Sequence, residues 1–292
     1  MKKVIITGKN SYIGRSFKSY VEANYPSEIQ VDSISVRGDA WREYDFSRYD
    51  AVLHVAGIAH VSADPKMETE YYKVNRDLTI AVAKLTKQSG VRQFVFMSSM
   101  IIYGEKRGID SLTIIDRATK PEPIDFYGRS KLEADLGVQQ LADDKFNVVS
   151  VRTPMVFGPQ SKGNFPLLVK VAKASPIFPK INNQRSMIYI NNLAEFLAKT
   201  ILNNISGIYF PQNQEPLSTL AIVKIIRTQL HKPLIVISLF NPLLRLLGRR
   251  FRVIDKVFGS KIYADDATIP FHYQLIDNET SIIQVMDKEE LK

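Results

Sequence analysis

The sequence predicts an α/β protein, a doubly wound parallel sheet followed by a smaller C-terminal substrate-binding region. Three observations predict it. Short, continuous apolar runs alternate with segments of helical periodicity through the first half of the chain. The runs are apolar on both faces, as strands covered by helices on both sides must be. A glycine-containing turn joins the first run to the first helical segment.

In chain order, Val4-Ile5-Ile6 is a buried strand that ends at Thr7-Gly8. Ile13, Phe17 and Val21 recur at helical spacing up to the turn at Asn24-Tyr25-Pro26. A second strand is expected within 29–36 and a third, buried on both faces, over 51–57. Residues 71–89 carry helical periodicity through Val74, Leu78, Ala81, Val82 and Leu85, and Gly90 stops it. A strand over 94–97 precedes a long loop to about Asp125. A helix then starts around Tyr127, and 148–151 forms a further strand. From about Gly158 the alternation fades and prolines cluster at 159, 166, 176 and 179. The expected division is 1–160 for the sheet domain and 161–292 for the substrate region, with 192–210 returning to the sheet.

Composition narrows the function classes. The chain has 292 residues, 45% hydrophobic and 24% charged, with 14 Gly and 14 Pro, which excludes wholesale disorder and collagen-like repeats. It has no cysteine, so disulfides, thiolate nucleophiles and Cys-ligated metals are out. His54, His60, His231 and His272 show no metal-ligand spacing, and no metal is expected. The N-terminal run is far too short for a signal-peptide core, and no apolar stretch reaches the roughly 18 residues of a membrane span. The expectation is a soluble, cytoplasmic enzyme. A net charge of +9 fits nucleic acid, an anionic membrane surface or a phosphorylated small substrate. Part of it sits in Arg245, Arg249, Arg250, Arg252, Lys256 and Lys261. Leucines and arginines alternate loosely over 241–258. A packed helix with solvated or ligand-facing charges is the preferred reading, over a membrane-surface helix or a nucleic-acid contact.

Thr7-Gly8-Lys9-Asn10-Ser11-Tyr12-Ile13-Gly14 lies between the first strand and first helix. A dinucleotide pyrophosphate needs a tight turn there, a bare backbone and a helix N-terminus with free N–H groups. A P-loop is disfavoured, because five residues separate the glycines and Arg15-Ser16 follows. The end of the second strand bears on the cofactor. If it runs to Val36, Ser35 and Arg37 meet the ribose and NADP follows; if it ends at Val31, Asp32 does so and NAD follows. The apolar alternation and Gly38 favour the longer strand, hence NADP, with NAD possible.

Tyr127 and Lys131 are four apart, so both project from one helix face. A phenol with pKa about 10 is a poor base at neutral pH. A neighbouring ammonium and a cationic nicotinamide would favour its phenolate, which makes Tyr127 a candidate acid/base. Ser98 and Ser99 follow a parallel strand, where a hydroxyl can meet a substrate oxygen in the ligand crevice. Neither sits in a GxSxG elbow, which disfavours a serine hydrolase.

Together these residues resemble the extended short-chain dehydrogenase/reductase family, in its nucleotide-sugar epimerase/dehydratase/reductase branch of the UDP-glucose 4-epimerase type. The matching pieces are TGKNSYIG at 7–14, DAVLHVAG at 50–57, Asn75 within YYKVN, FVFMSSMIIYG at 94–104, YGRSK at 127–131 and VRTPMVFGP at 151–159. RSMIYINNLAEF at 185–196 matches more loosely. The resemblance implies Ser99 as the catalytic hydroxyl, Tyr127 as acid/base and Lys131 as its partner. The expected cofactor set is Gly8, Asn10, Ser11, Tyr12, Ile13, Gly14, Ser35, Arg37, Asp45, Ala56, Gly57 and Asn75, with Tyr127 and Lys131. Ser99, Asn164, Arg185 and Arg252 are expected at the substrate, a UDP-linked sugar. A homodimer through helices near 76–89 and 127–142 is also implied, while nucleic acid and membrane are not expected partners. Ser11 replaces the usual middle glycine and Ser186 the usual Asp. Ser99-Met100 replaces the Thr-acid pair of 4,6-dehydratases, which demotes dehydration and leaves 4-ketone reduction ahead of 4-epimerisation. A non-catalytic dinucleotide or nucleic-acid binder is the competing class.

Overall fold

The computed structural model describes the chain except residues 60–63, 105–107, 110, 240, 251–253, 255–256, 266–267 and 291–292, and the side chains of 248–250 and 288–290. Nine α-helices and twelve strands are found among the described residues. In chain order they run β1 (Lys2–Thr7), α1 (Tyr12–Asn24), β2 (Ile29–Ile34), β3 (Ala51–His54), α2 (Glu68–Tyr71), α3 (Leu78–Gln88), β4 (Gln93–Ser99), β5 (Leu112–Ile115), α4 (Phe126–Gln139), β6 (Asn147–Thr153) and β7 (Met155–Phe157). There follow α5 (Asn164–Ala174), β8 (Ile177–Pro179), β9 (Met187–Tyr189), α6 (Ile190–Leu202), β10 (Gly207–Tyr209), α7 (Thr219–Gln229), β11 (Ile235–Ile237), α8 (Asn241–Arg250), β12 (Ser260–Tyr263) and α9 (Asn278–Glu290).

Six strands form one parallel sheet in the order β10-β6-β4-β3-β1-β2. Side chains alternate across a strand, so successive residues serve opposite helical layers. Val4 and Ile6 join Phe17 and Val21 of α1 and Phe196 and Leu197 of α6 in one core cluster. Ile5 points the other way, to Val82 of α3 and Ala134 and Val138 of α4. This two-sided burial explains why the strands read as continuous apolar runs. The chain leaves β1 toward β2 on one side and returns to β3 on the other. That reversal opens a crevice at the carboxyl ends of β1 and β3, where ligands of open α/β sheets bind.

Some elements differ from the sequence-based expectation. The second strand ends at Ile34, two residues short of Val36, which is buried just beyond it. The expected single helix over 71–89 is α2, a π-helical turn over Tyr72–Asp77 and then α3. The supposed loop before α4 contains β5, which pairs with β12 from the far end of the chain. Helix α8 turns Leu244 toward the core but leaves Leu243 53% and Leu246 66% exposed, so only part of its apolar surface is packed. Outside that sheet lie three two-stranded parallel pairs, β7·β9, β8·β11 and β5·β12. No helix among the described residues is long and apolar enough to cross a membrane.

Candidate active site

Gly8 makes the turn out of β1 with φ +122°, a region that an L side chain rarely adopts. A Cβ there would lie 2.9 Å from the Ala56 backbone nitrogen, so β1 and β3 end in close apposition only because the side chain is absent. Both the Gly8 and Lys9 N–H groups donate to the Ile34 carbonyl, at 3.0 Å each, which ties the turn to β2. Ser11 caps α1, its Oγ accepting from the Gly14 N–H at 3.4 Å. A Cβ at Gly14 would meet Ile6 Cγ2 at 2.9 Å, so Gly14 lets the helix lie close to the sheet. The outcome is a helix N-terminus facing an open cleft of about 1400 Å³.

Ser99 ends β4 and caps the following 3₁₀ turn, its Oγ accepting from the Ile101 N–H at 3.2 Å. Asp125 caps α4 by accepting from the Gly128 N–H at 2.9 Å, which starts the helix one residue before Tyr127. Ser99, Tyr127 and Lys131 all line the cleft. Tyr127 packs edge-on against the buried Tyr71 ring, centroids 5.6 Å apart. Burial of its hydroxyl, aided by the neighbouring Tyr71 phenol, pushes the Tyr127 pKa up to about 12, while a hydrogen bond with Ser99 acts in the opposite direction. The phenol is therefore protonated at neutral pH. Lys131 Nζ donates to the Met97 carbonyl at 2.9 Å and lies 4.7 Å from the Phe96 ring centroid. Burial lowers the Lys131 pKa to about 8, with Asp135 opposing the shift.

Asp135 belongs to a fully internal polar group that sequence reasoning missed. It accepts from Ser98 Oγ at 2.6 Å and from Arg152 Nε at 3.0 Å, and Arg152 Nη1 donates to Tyr103 Oη at 2.6 Å. Its i, i+4 position relative to Lys131 was a readable signal. The buried charge of Arg152 is thus paired and hydrogen-bonded, and it braces the end of β4 that carries Ser99.

The cleft is also lined by Gly8, Asn10, Ser11, Tyr12, Ile13, Ser35, Arg37, Ala56, Gly57, Asn164 and Arg185. Gly14 and Asn75 stand behind it. Asn75 is fully buried, accepting from the Ile58 N–H at 2.8 Å and donating to the Ile58 carbonyl at 3.1 Å. It thereby fixes the backbone beyond Gly57. Asp45 does not line the cleft: its exposed carboxylate closes a local turn by accepting from the Ser47 N–H and Oγ. Placing it at the cofactor overlooked that the chain between β2 and β3 turns away from the crevice after Arg42. Arg252 lies outside the described residues. Lys9 of the glycine turn and Lys261 of the basic stretch line the cleft as well, as do Arg15, Arg42 and Lys162, which no motif singled out.

These residues fit a dinucleotide. The bare glycines, the capped helix N-terminus and the Tyr12 hydroxyl, buried without a hydrogen-bond partner, form a cradle whose donors suit a pyrophosphate. Fold and site together define a dinucleotide-binding α/β enzyme with a Ser-Tyr-Lys set at the crevice. Comparison with known proteins sharpens this. The sequence profile described as the NAD dependent epimerase/dehydratase family matches residues 4–209, and the chain belongs to that family. A UDP-glucose 4-epimerase of Vibrio cholerae is 28% identical over 288 residues, covering 89% of this chain and 86% of that enzyme. Two solved structures share the fold. A UDP-glucuronic acid 4-epimerase from Bacillus cereus in complex with NAD has a TM-score of 0.73 at 16% identity, covering 99% of each chain. A dTDP-4-dehydrorhamnose reductase from Bacillus anthracis strain Ames in complex with NADP has a TM-score of 0.70 at 18% identity, covering 100% of this chain and 99% of that one.

Proposed function

We propose that the protein is an NADPH-dependent reductase of the C4 ketone of a UDP-linked 6-deoxyhexose. The observation that carries this is the charge at the ribose end of the crevice. Ser35, Arg37, Asp39 and Arg42 line it, Arg42 Nε donating to Asp39 Oδ1 at 3.0 Å, whereas the Asp32 carboxylate is turned away to accept from Tyr49 Oη at 2.9 Å. An unpaired acidic side chain at that point would repel a 2′-phosphate; with Asp39 paired to Arg42, Ser35 and the Arg37 guanidinium suit one. A consumed, exchangeable NADPH goes with net reduction rather than with a retained cofactor.

The bound cofactor would supply a hydride to C4 of the sugar. Tyr127, held as a neutral phenol by burial, donates its proton to the C4 oxygen as the carbon is reduced. Ser99, hydrogen-bonded to that phenol, orients the ketone oxygen. Lys131 and the Gly57 backbone would hold the nicotinamide ribose, Lys131 Nζ lying 3.4 Å from where a Gly57 Cβ would sit. Arg185 and Asn164, on the second region's wall of the cleft, would meet the substrate diphosphate. A homodimer through the outer faces of α3 and α4 accords with the 51% exposure of Leu136.

The second reading is a UDP-hexose 4-epimerase with retained NAD, favoured by the name and long alignment of the Vibrio cholerae relative. Purified protein distinguishes the two. Oxidation of NADPH on addition of a UDP-4-keto-6-deoxyhexose supports reduction. Tightly retained NAD, interconversion of UDP-hexoses and no NADPH turnover would overturn it. Tyr127→Phe is expected to lower kcat by about 10²–10⁴-fold while leaving dinucleotide affinity unchanged.

A further inference from the structure

The basic excess of the chain is concentrated in one stretch of its sequence, of which Lys162, Arg185 and Lys261 line the crevice and Arg227 is buried. Residues 161–264 contain 15 Lys and Arg against 3 Asp and Glu, so the remainder of the chain is slightly acidic. One of the three acids, Glu195, is buried and accepts hydrogen bonds from Tyr20 and Tyr25, at 3.0 Å and 2.7 Å. The same stretch carries the exposed apolar side chains. Of thirteen large hydrophobic residues exposed among the described ones, seven fall between Leu167 and Leu246.

Those seven include one connected face. Ile235 of β11 pairs in register with Ile177 of β8, and both are exposed, at 55% and 47%. The Asn241 amide at the start of α8 donates to the Lys180 carbonyl at 2.8 Å, fastening the helix beside that pair of strands. Leu244 then packs on the core, and Leu243 and Leu246, three apart on one face of the helix, project outward. Leu239, just before the helix, is 80% exposed.

We propose that this face is a docking site for an anionic membrane surface, with Leu243 and Leu246 entering the boundary between headgroups and acyl chains. Lys180, Lys232 and Arg245, exposed along the same strands and helix, would meet lipid phosphates. Exposed leucines on a short helix, set in a region of strongly positive charge, are what an interfacial helix needs. They suit a nucleic acid poorly. A phosphate backbone gains nothing from aliphatic side chains, and among the described residues none of the exposed large hydrophobics on this face is an aromatic on which bases could stack. The role is separate from the chemistry of the crevice and stands whichever sugar reaction occurs there.

The test is co-sedimentation of the full chain with vesicles of phosphatidylcholine alone and of phosphatidylcholine mixed with phosphatidylglycerol. Binding is expected only with the anionic lipid, weakening as salt is raised. The double variant Leu243→Ser, Leu246→Ser should lose about tenfold or more in partitioning. Its circular dichroism and NADPH binding should be unchanged. Absence of binding to anionic vesicles would overturn the proposal, as would equal binding by the double variant. So would a change in sedimentation coefficient of the double variant without lipid, which would assign the leucines to a second copy of the chain. Salt-sensitive binding to polyuridylate that survives the double substitution, without vesicle binding, would assign the charge to nucleic acid instead.

Discussion

Gly8→Ala, set against Gly38→Ala, isolates how closely the first and third strands approach at the crevice. Both glycines have positive φ, +122° and +68°, so both substitutions carry a backbone cost of about 1–2 kcal/mol. Only one carries a clash. A Cβ at Gly8 would lie 2.9 Å from Ala56 N, 3.0 Å from Val55 Cγ2 and 3.2 Å from Ala56 Cα, whereas one at Gly38 meets nothing within 4 Å. Two of the three Gly8 contacts are backbone of a central strand's end and cannot rotate aside. Overpacking of that kind costs about 1–3 kcal/mol more. Gly8→Ala should therefore destabilise by about 3 kcal/mol and Gly38→Ala by about 1 kcal/mol. For a chain of this size the melting temperature should fall by roughly 5 °C and 2 °C respectively. Differential scanning calorimetry of the ligand-free proteins reads both values without interference from cofactor. Equal losses for the two variants would refute the packing argument, because the clash would then contribute nothing.

Other expectations follow from the same coordinates. Arg37→Ala should raise KM for NADPH by about 10- to 100-fold, the worth of a lost charge-assisted hydrogen bond, and leave KM for NADH unchanged in steady-state assays. Asp135→Asn leaves the buried Arg152 guanidinium unpaired and should cost about 3–5 kcal/mol in urea unfolding. It also removes the carboxylate that holds up the pKa of Lys131, about 8, so the alkaline limb of the kcat/KM profile should move to lower pH. His54 is fully buried, and burial followed by the nearby Lys131 charge lowers its pKa to about 3. The unfolded chain takes up this proton near pH 6.5 and the folded one does not. Stability is therefore lost as pH falls from about 6.5 to about 3, by of order 4 kcal/mol from this group. His54→Gln should flatten that slope, measured by denaturant unfolding across the range.

The sequence alone determined whatever depends on neighbours a few residues apart. Continuous apolar runs such as Ala51-Val52-Leu53 marked the buried parallel strands, since a strand covered on both faces has no exposed polar side. The glycines at 8 and 14 marked a turn that needs a missing Cβ, and the four-residue interval placed Tyr127 and Lys131 on one face of α4. Tertiary structure alone decided where distant segments meet. That Asp32 faces Tyr49 rather than the crevice depends on where β2 stops and how the chain from 35 to 50 folds back. The neutral state of Tyr127 depends on its burial and on the Tyr71 phenol, more than fifty residues away in the chain. The pairing of β5 with β12 and the outward leucines of α8 are of the same kind. Periodicity reports which side of an element is apolar, but what covers that side, if anything, is settled by contacts between segments remote in the chain.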